Sequence, residues 1–104
     1  MRNLICTAAL VAAFAAPAAS AETEQARCSS VAATAQSIME SHQSGVALSI
    51  MLDIINKNFS DPDVADAYAA LTVIAYGEPR YQTEAAQKRS AADFRDTIHV
   101  WCLS

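Results

Sequence analysis

The chain has 104 residues, 53% of them hydrophobic, with 7 Lys and Arg against 11 Asp and Glu and a formal net charge of -4. Basic residues this sparse exclude a nucleic-acid partner, because phosphate binding needs Lys and Arg gathered on one face, and the apolar content excludes a disordered chain. The totals nevertheless merge two unlike segments. Residues 1–21 hold 16 apolar residues and the single charge of Arg2, whereas residues 22–104 hold 39 apolar residues among 83, with 6 basic and 11 acidic side chains.

The first segment has the layout of an export signal. Arg2 is a minimal positive start, Leu4 to Ala16 is an apolar run broken only by Thr7, and Pro17 precedes Ala19-Ser20-Ala21. Small residues at the first and third positions before the cut suit signal peptidase, so cleavage is expected after Ala21. The run is too short and Ala-rich for the ~20 strongly apolar residues of a membrane span. The expectation is a signal peptide over 1–21, a single domain over 22–104 with no stable membrane insertion, and a periplasmic or secreted location.

Cleavage would remove Cys6 and leave Cys28 and Cys102. In an oxidising compartment, an even pair in a domain this small reads as one disulfide. The competing use is a redox or metal site, in which His99, three residues before Cys102, supplies a further ligand. No CxxC is present, and a fourth ligand would have to come from elsewhere in the chain.

The mature segment reads as four helices. Cys28, Val31, Ala35, Ile38, Met39 and His42 recur at helical spacing and predict a helix from about Glu24 to Gln43, with Gly45 as its C-terminal cap. Leu48, Met51, Leu52, Ile55 and Phe59, widened by Ile50 and Ile54, predict a second helix from about Val46 to Lys57, the most buried of the four. Asp61 as N-cap, Pro62 at the first helical position and Asp63 near the positive end of the dipole open a third. Its expected inward stripe is Val64, Ala67, Tyr68, Leu71, Ile74 and Ala75, and Gly77 with Pro79 stops it. The fourth starts at Thr83 and runs to about Trp101, with Ala91, Phe94, Ile98, Trp101 and Cys102 inward. Short connections predict an all-α fold, a small antiparallel bundle, and a disulfide would offset a core in which 14 of the apolar residues are Ala.

Chemistry-bearing patterns are few. His42 stands at a helix C-terminus, where a general base, a ligand or a simple cap are the competing uses. Asp93 and Asp96 share a helix face, but Lys88, Arg89 and Arg95 surround them, which reads as a solvated charged face. Asp61, Asp63 and Asp66 lack the Gly and Glu of a calcium loop. No GxSxG, HExxH, P-loop or GxGxxG pattern occurs, so no enzyme and no cofactor are expected. The segment Ala75-Tyr76-Gly77-Glu78-Pro79-Arg80-Tyr81 has a hot-spot composition, two Tyr and an Arg on a connection restricted by Gly and Pro. Tyr76, Arg80 and Tyr81, with His42 and Gln43, form the candidate interaction surface. The competing use of Tyr76 is to finish the helix stripe, and of Arg80 and Tyr81 to staple the turn.

Cys28, Ile38-Met39, His42-Gln43-x-Gly45, Ala75-Tyr76-x-x-Pro79-Arg80, Phe94 and Cys102 together resemble a group of small exported helical proteins of proteobacteria and their phages. That group more often carries Arg-Gln at the position of His42-Gln43. The resemblance implies a signal peptide, two Cys and a helical domain, and no activity. The functional expectation is a protein-binding module acting on an envelope protein. The alternatives are an acid-stress chaperone, whose 11 carboxylates would lose charge at low pH, and a metal-binding protein or small enzyme using His42 and His99.

Overall fold

The computed structural model describes the backbone from residue 2 and the side chains of residues 23–104. The export signal expected over 1–21, its cleavage after Ala21 and Cys6 lie outside the described side chains. Four helices follow in order, α1 (Arg2–Gln43), α2 (Leu48–Asn58), α3 (Pro62–Tyr76) and α4 (Glu84–Leu103). No strand occurs among the described residues. The all-α architecture expected from the periodicity is the one observed. α1 begins upstream of the expected Glu24, while α2 starts two residues later than expected.

Local chemistry sets the helix ends. Gly45 adopts φ +92°, the left-handed region that a side chain disfavours. The Gly45 amide donates to the His42 carbonyl and the Val46 amide to the Ser41 carbonyl, a Schellman closure that satisfies carbonyls at the end of α1. Asp61 caps α3 by accepting from the Asp63 amide at 2.9 Å, and Thr83 caps α4 by accepting from the Ala86 amide at 3.1 Å.

α1 is the axis of the packing. α4 runs antiparallel along it, since Cys28 meets Cys102 at one end and Gln36 meets Arg95 near the middle of the paired stretch. α3 lies parallel to α1 on another side, and α2 folds back antiparallel onto α3, where Phe59 and Tyr68 stack with ring centroids 4.4 Å apart. α3 and α4 both lean on α1 and scarcely touch each other. The core joins Ala35, Ile38 and Met39 of α1 to Met51 and Ile55 of α2, Ala75 of α3, and Ala91, Phe94 and Ile98 of α4.

Three expectations about burial are corrected. α2 is not the most buried helix: only Met51 and Ile55 are buried there, while Leu48, Ile50 and Ile54 face outward. On α3 the inward face is turned by about one residue from the expected stripe, so that Ala65, Thr72 and Ala75 are buried while Val64 and Ile74 are 38% and 47% exposed. Thr72 is tolerated inside because its hydroxyl donates to the Tyr68 carbonyl at 2.7 Å. On α4, Trp101 is 58% exposed instead of inward, and Val100 and Leu103 beside it are exposed too.

Beyond Ile98, Cys102 is therefore the anchor of the last turn of α4. It is joined to the fully buried Cys28 by a disulfide spanning 74 residues of sequence, with Cα atoms 5.5 Å apart. Closing so long a loop removes on the order of 4.5 kcal/mol of unfolded-chain entropy in the chain-entropy model. The double substitution Cys28→Ser with Cys102→Ser is expected to lower unfolding free energy by about 3–4 kcal/mol in denaturant titrations. Amides of residues 99–104 should then exchange faster than those around Phe94, whose anchorage does not depend on sulfur.

Candidate functional site

The five residues singled out in the sequence meet at one place, the junction between the C-terminus of α1 and the α3–α4 connection. Helix α1 presents His42 and Gln43 on its last turn, and both are buried, at 9% and 2% exposure. α3 ends at Tyr76 because the connection that follows passes through Gly77 and Pro79, and proline cannot continue a helix.

Gln43 is the centre of the arrangement. Its side-chain amide donates to the Pro79 carbonyl at 2.9 Å, and its side-chain oxygen accepts from the Tyr81 amide at 2.8 Å. One carboxamide thus pairs with the C=O and N–H of residues two apart, as a neighbouring strand would. The same nitrogen also lies 3.7 Å from the Met39 sulfur. From the other side, the Gln87 side chain donates to the Tyr81 carbonyl at 2.8 Å and ties the connection to α4.

His42 adds a second tie. Its Nε2 lies 2.6 Å from the Glu78 carbonyl, and since a carbonyl only accepts, Nε2 carries the proton in this contact. The imidazole packs against Tyr76 with ring centroids 4.3 Å apart. The Tyr76 hydroxyl donates to the Val46 carbonyl at 2.7 Å, fastening the α1–α2 connection to the end of α3. Burial raises the Tyr76 pKa above its ordinary value of 10.0.

Arg80 closes the junction from above. Its guanidinium donates to the Gln43 main-chain carbonyl at 3.5 Å, at the negative end of the α1 dipole. The space it occupies exists because residue 45 is glycine: a Cβ there would stand 3.0 Å from Arg80 Nη2 and 3.3 Å from Cζ.

The structure therefore brings together all five residues and divides them by role. His42, Gln43 and Tyr76 are turned inward as a clasp, whereas Arg80 and Tyr81 are exposed. Sequence reading missed Gln87, which has no motif to mark it, and the carbonyls of Glu78 and Pro79, which as main-chain groups leave no sequence signal. Beside Tyr81 lies a cleft of about 440 Å³, walled by Thr83, Ala86, Arg89 and Asp93.

The remaining candidates stand elsewhere. Asp93 and Asp96 are exposed on α4, and Arg95 donates to Gln36 on α1 at 2.9 Å. His99 is half-buried on the same helix, and Cys28 and Cys102 are consumed in their bridge. Among the described residues, no group of three or more His, Cys, Asp or Glu side chains is placed to share a metal ion, and no helix is long and apolar enough to cross a membrane.

The fold and junction define a small all-α domain tied once by sulfur and once by side-chain amides. No family model, no curated protein and no solved structure matches the chain.

Two outcomes follow from the clasp. Gln43→Ala leaves the Tyr81 N–H and Pro79 C=O without their partner and should cost about 2–3 kcal/mol in denaturant unfolding. Tyr76→Phe removes one hydrogen bond and should cost about 1 kcal/mol near neutral pH. The Tyr76 contribution is fully present below the unfolded-state pKa near 10.0 and is lost as pH rises through the higher folded value, because the unfolded chain releases the proton first. Melting temperature should accordingly fall above pH 10 more steeply for the parent than for Tyr76→Phe.

Proposed function

We propose that the chain is an exported protein-binding module whose contact surface centres on Arg80 and Tyr81. The observation that carries this reading is the division of roles at the junction. Gln43 and Gln87 hold the Tyr81 main chain from two sides, at 2.8 Å each, while the Tyr81 ring and the Arg80 side chain remain exposed. An aromatic ring and a guanidinium held on a fixed connection lose little conformational entropy on binding, which favours such pairs as hot spots. The cleft bordered by Tyr81, Arg89 and Asp93 offers both charge signs beside an apolar floor of Ala85 and Ala86, a composition suited to a protein surface. The buried disulfide supports an oxidising compartment, and an envelope protein is the class of partner proposed.

Two of the motifs behind the resemblance to small exported two-cysteine proteins, His42-Gln43-x-Gly45 and Ala75-Tyr76-x-x-Pro79-Arg80, are the two halves of the clasp. Within that group we read the shared feature as the architecture that displays the connection. The test is quantitative. After in-cell crosslinking identifies a partner, its affinity should fall at least about tenfold, ~1.4 kcal/mol, for Arg80→Ala with Tyr81→Ala. Circular dichroism and melting temperature should show the double variant folded. A folded double variant that binds with unchanged affinity rejects this surface.

A further inference from the structure

A second site lies towards the other end of α1, roughly 24 Å along the helix from the clasp by its rise per residue. Because the buried positions of α3 are Ala65, Thr72 and Ala75, other residues expected to form its buried stripe keep a face towards solvent: Val64 and Ala67 are exposed, and Tyr68 and Leu71 are half-buried. Val64, Ala67, Tyr68 and Leu71 of α3 face Val31 of α1 across a groove of about 460 Å³. Its walls are almost wholly apolar, and water there would find few of the polar partners that hold an ordered molecule.

The charges at the groove are confined to one end. Arg27 of α1 and Asp63 in the first turn of α3 both border it, and the parallel course of the two helices places them together, with Leu71 at the far end. The ion pairs among the described residues are Lys57 with Asp53 and Lys88 with Glu84, so Arg27 and Asp63 border the same groove without pairing. The eight helical steps from Asp63 to Leu71 span about 12 Å, the extended length of a chain of roughly ten carbons with bonds near 1.5 Å.

We propose that this groove binds a zwitterionic single-chain amphiphile, its alkyl chain along Val31, Val64, Ala67, Tyr68 and Leu71, its anionic group at Arg27 and its cationic group at Asp63. Each alternative occupant wastes or opposes part of the site. A purely anionic head meets repulsion from Asp63, a purely cationic one meets Arg27, and an uncharged head leaves both without a partner. A free head group without a chain forgoes the apolar walls, which carry most of the burial. This inference is independent of the Arg80 and Tyr81 surface.

The probes are decylphosphocholine, decyl sulfate, decyltrimethylammonium and decyl maltoside, each below its micelle-forming concentration, and phosphocholine without a chain. Calorimetric titration of the purified protein should show one saturable site for decylphosphocholine, about fivefold tighter than for decyl maltoside given two solvent-accessible charge contacts, and none for phosphocholine. Arg27→Gln should weaken the zwitterion and improve decyltrimethylammonium relative to it, while Asp63→Asn should do the same for decyl sulfate. Ala67→Trp, at an exposed position where the larger ring fills the groove, should abolish binding without loss of helical circular dichroism. The proposal is overturned by absence of saturable decylphosphocholine binding, by equal affinity for decyl maltoside, or by a folded Ala67→Trp that binds as the parent does.

Discussion

The arrangement depends on one carboxamide. Gln43 is the last residue of α1, and its two hydrogen bonds to Pro79 and Tyr81 decide where the chain goes after α3. That register sets the connection on a course back along α1, where α4 lies antiparallel to it. The disulfide holds the opposite end of the same helix pair. Helix α4 is thus fixed at both ends to α1, once by covalent chemistry and once by an amide used in place of a backbone. The buried side chains between, Ala91, Phe94 and Ile98, need only fill the interval.

That division of labour suits a sequence rich in alanine. Alanine faces bring helix axes close but bury little apolar area per residue, and a domain of about 80 residues has little core to spare. Here the directional contacts are concentrated where the chain changes course. Gly45, Arg80, His42 and Tyr76 each satisfy a main-chain carbonyl or open room for a group that does. Among the described side chains no buried polar atom is left without a partner, so the tight junction carries no desolvation penalty from an unmet group.

How much of this was legible in the sequence follows from the type of signal each feature leaves. Asp61-Pro62-Asp63, Gly45 and Thr83 mark helix ends through properties of single residues, and all three hold in the structure. Trp101, Val64 and Ile74 misled because hydrophobic periodicity ranks large side chains as inward, whereas the buried positions of α3 are Ala65, Thr72 and Ala75 and the last turn of α4 is held by Cys102. Thr72 was invisible for the converse reason: its polarity argued for the surface, yet a hydroxyl bonded to its own helix can be buried freely. The junction residues were recognisable as a group by composition. Their inward or outward use was not, since Gln43 and Arg80 differ only in which backbone carbonyls and amides stand opposite them after folding.

The position of the sulfur bridge also sets how the molecule responds to tension. Cys28 and Cys102 enclose almost all of the described domain. A pull applied to the chain on either side of the bridge runs from one strand of backbone through two sulfur atoms to the other, and the loop between the two cysteines, 74 positions apart, bears none of it. Oxidised, the clasp and the core are mechanically silent, and tethering or threading the flanking chain leaves them undisturbed, whereas Arg27, one residue outside the bridge, stays on the loaded path. Reduced, the same pull would first peel α4 from α1, beginning at the exposed turn around Trp101.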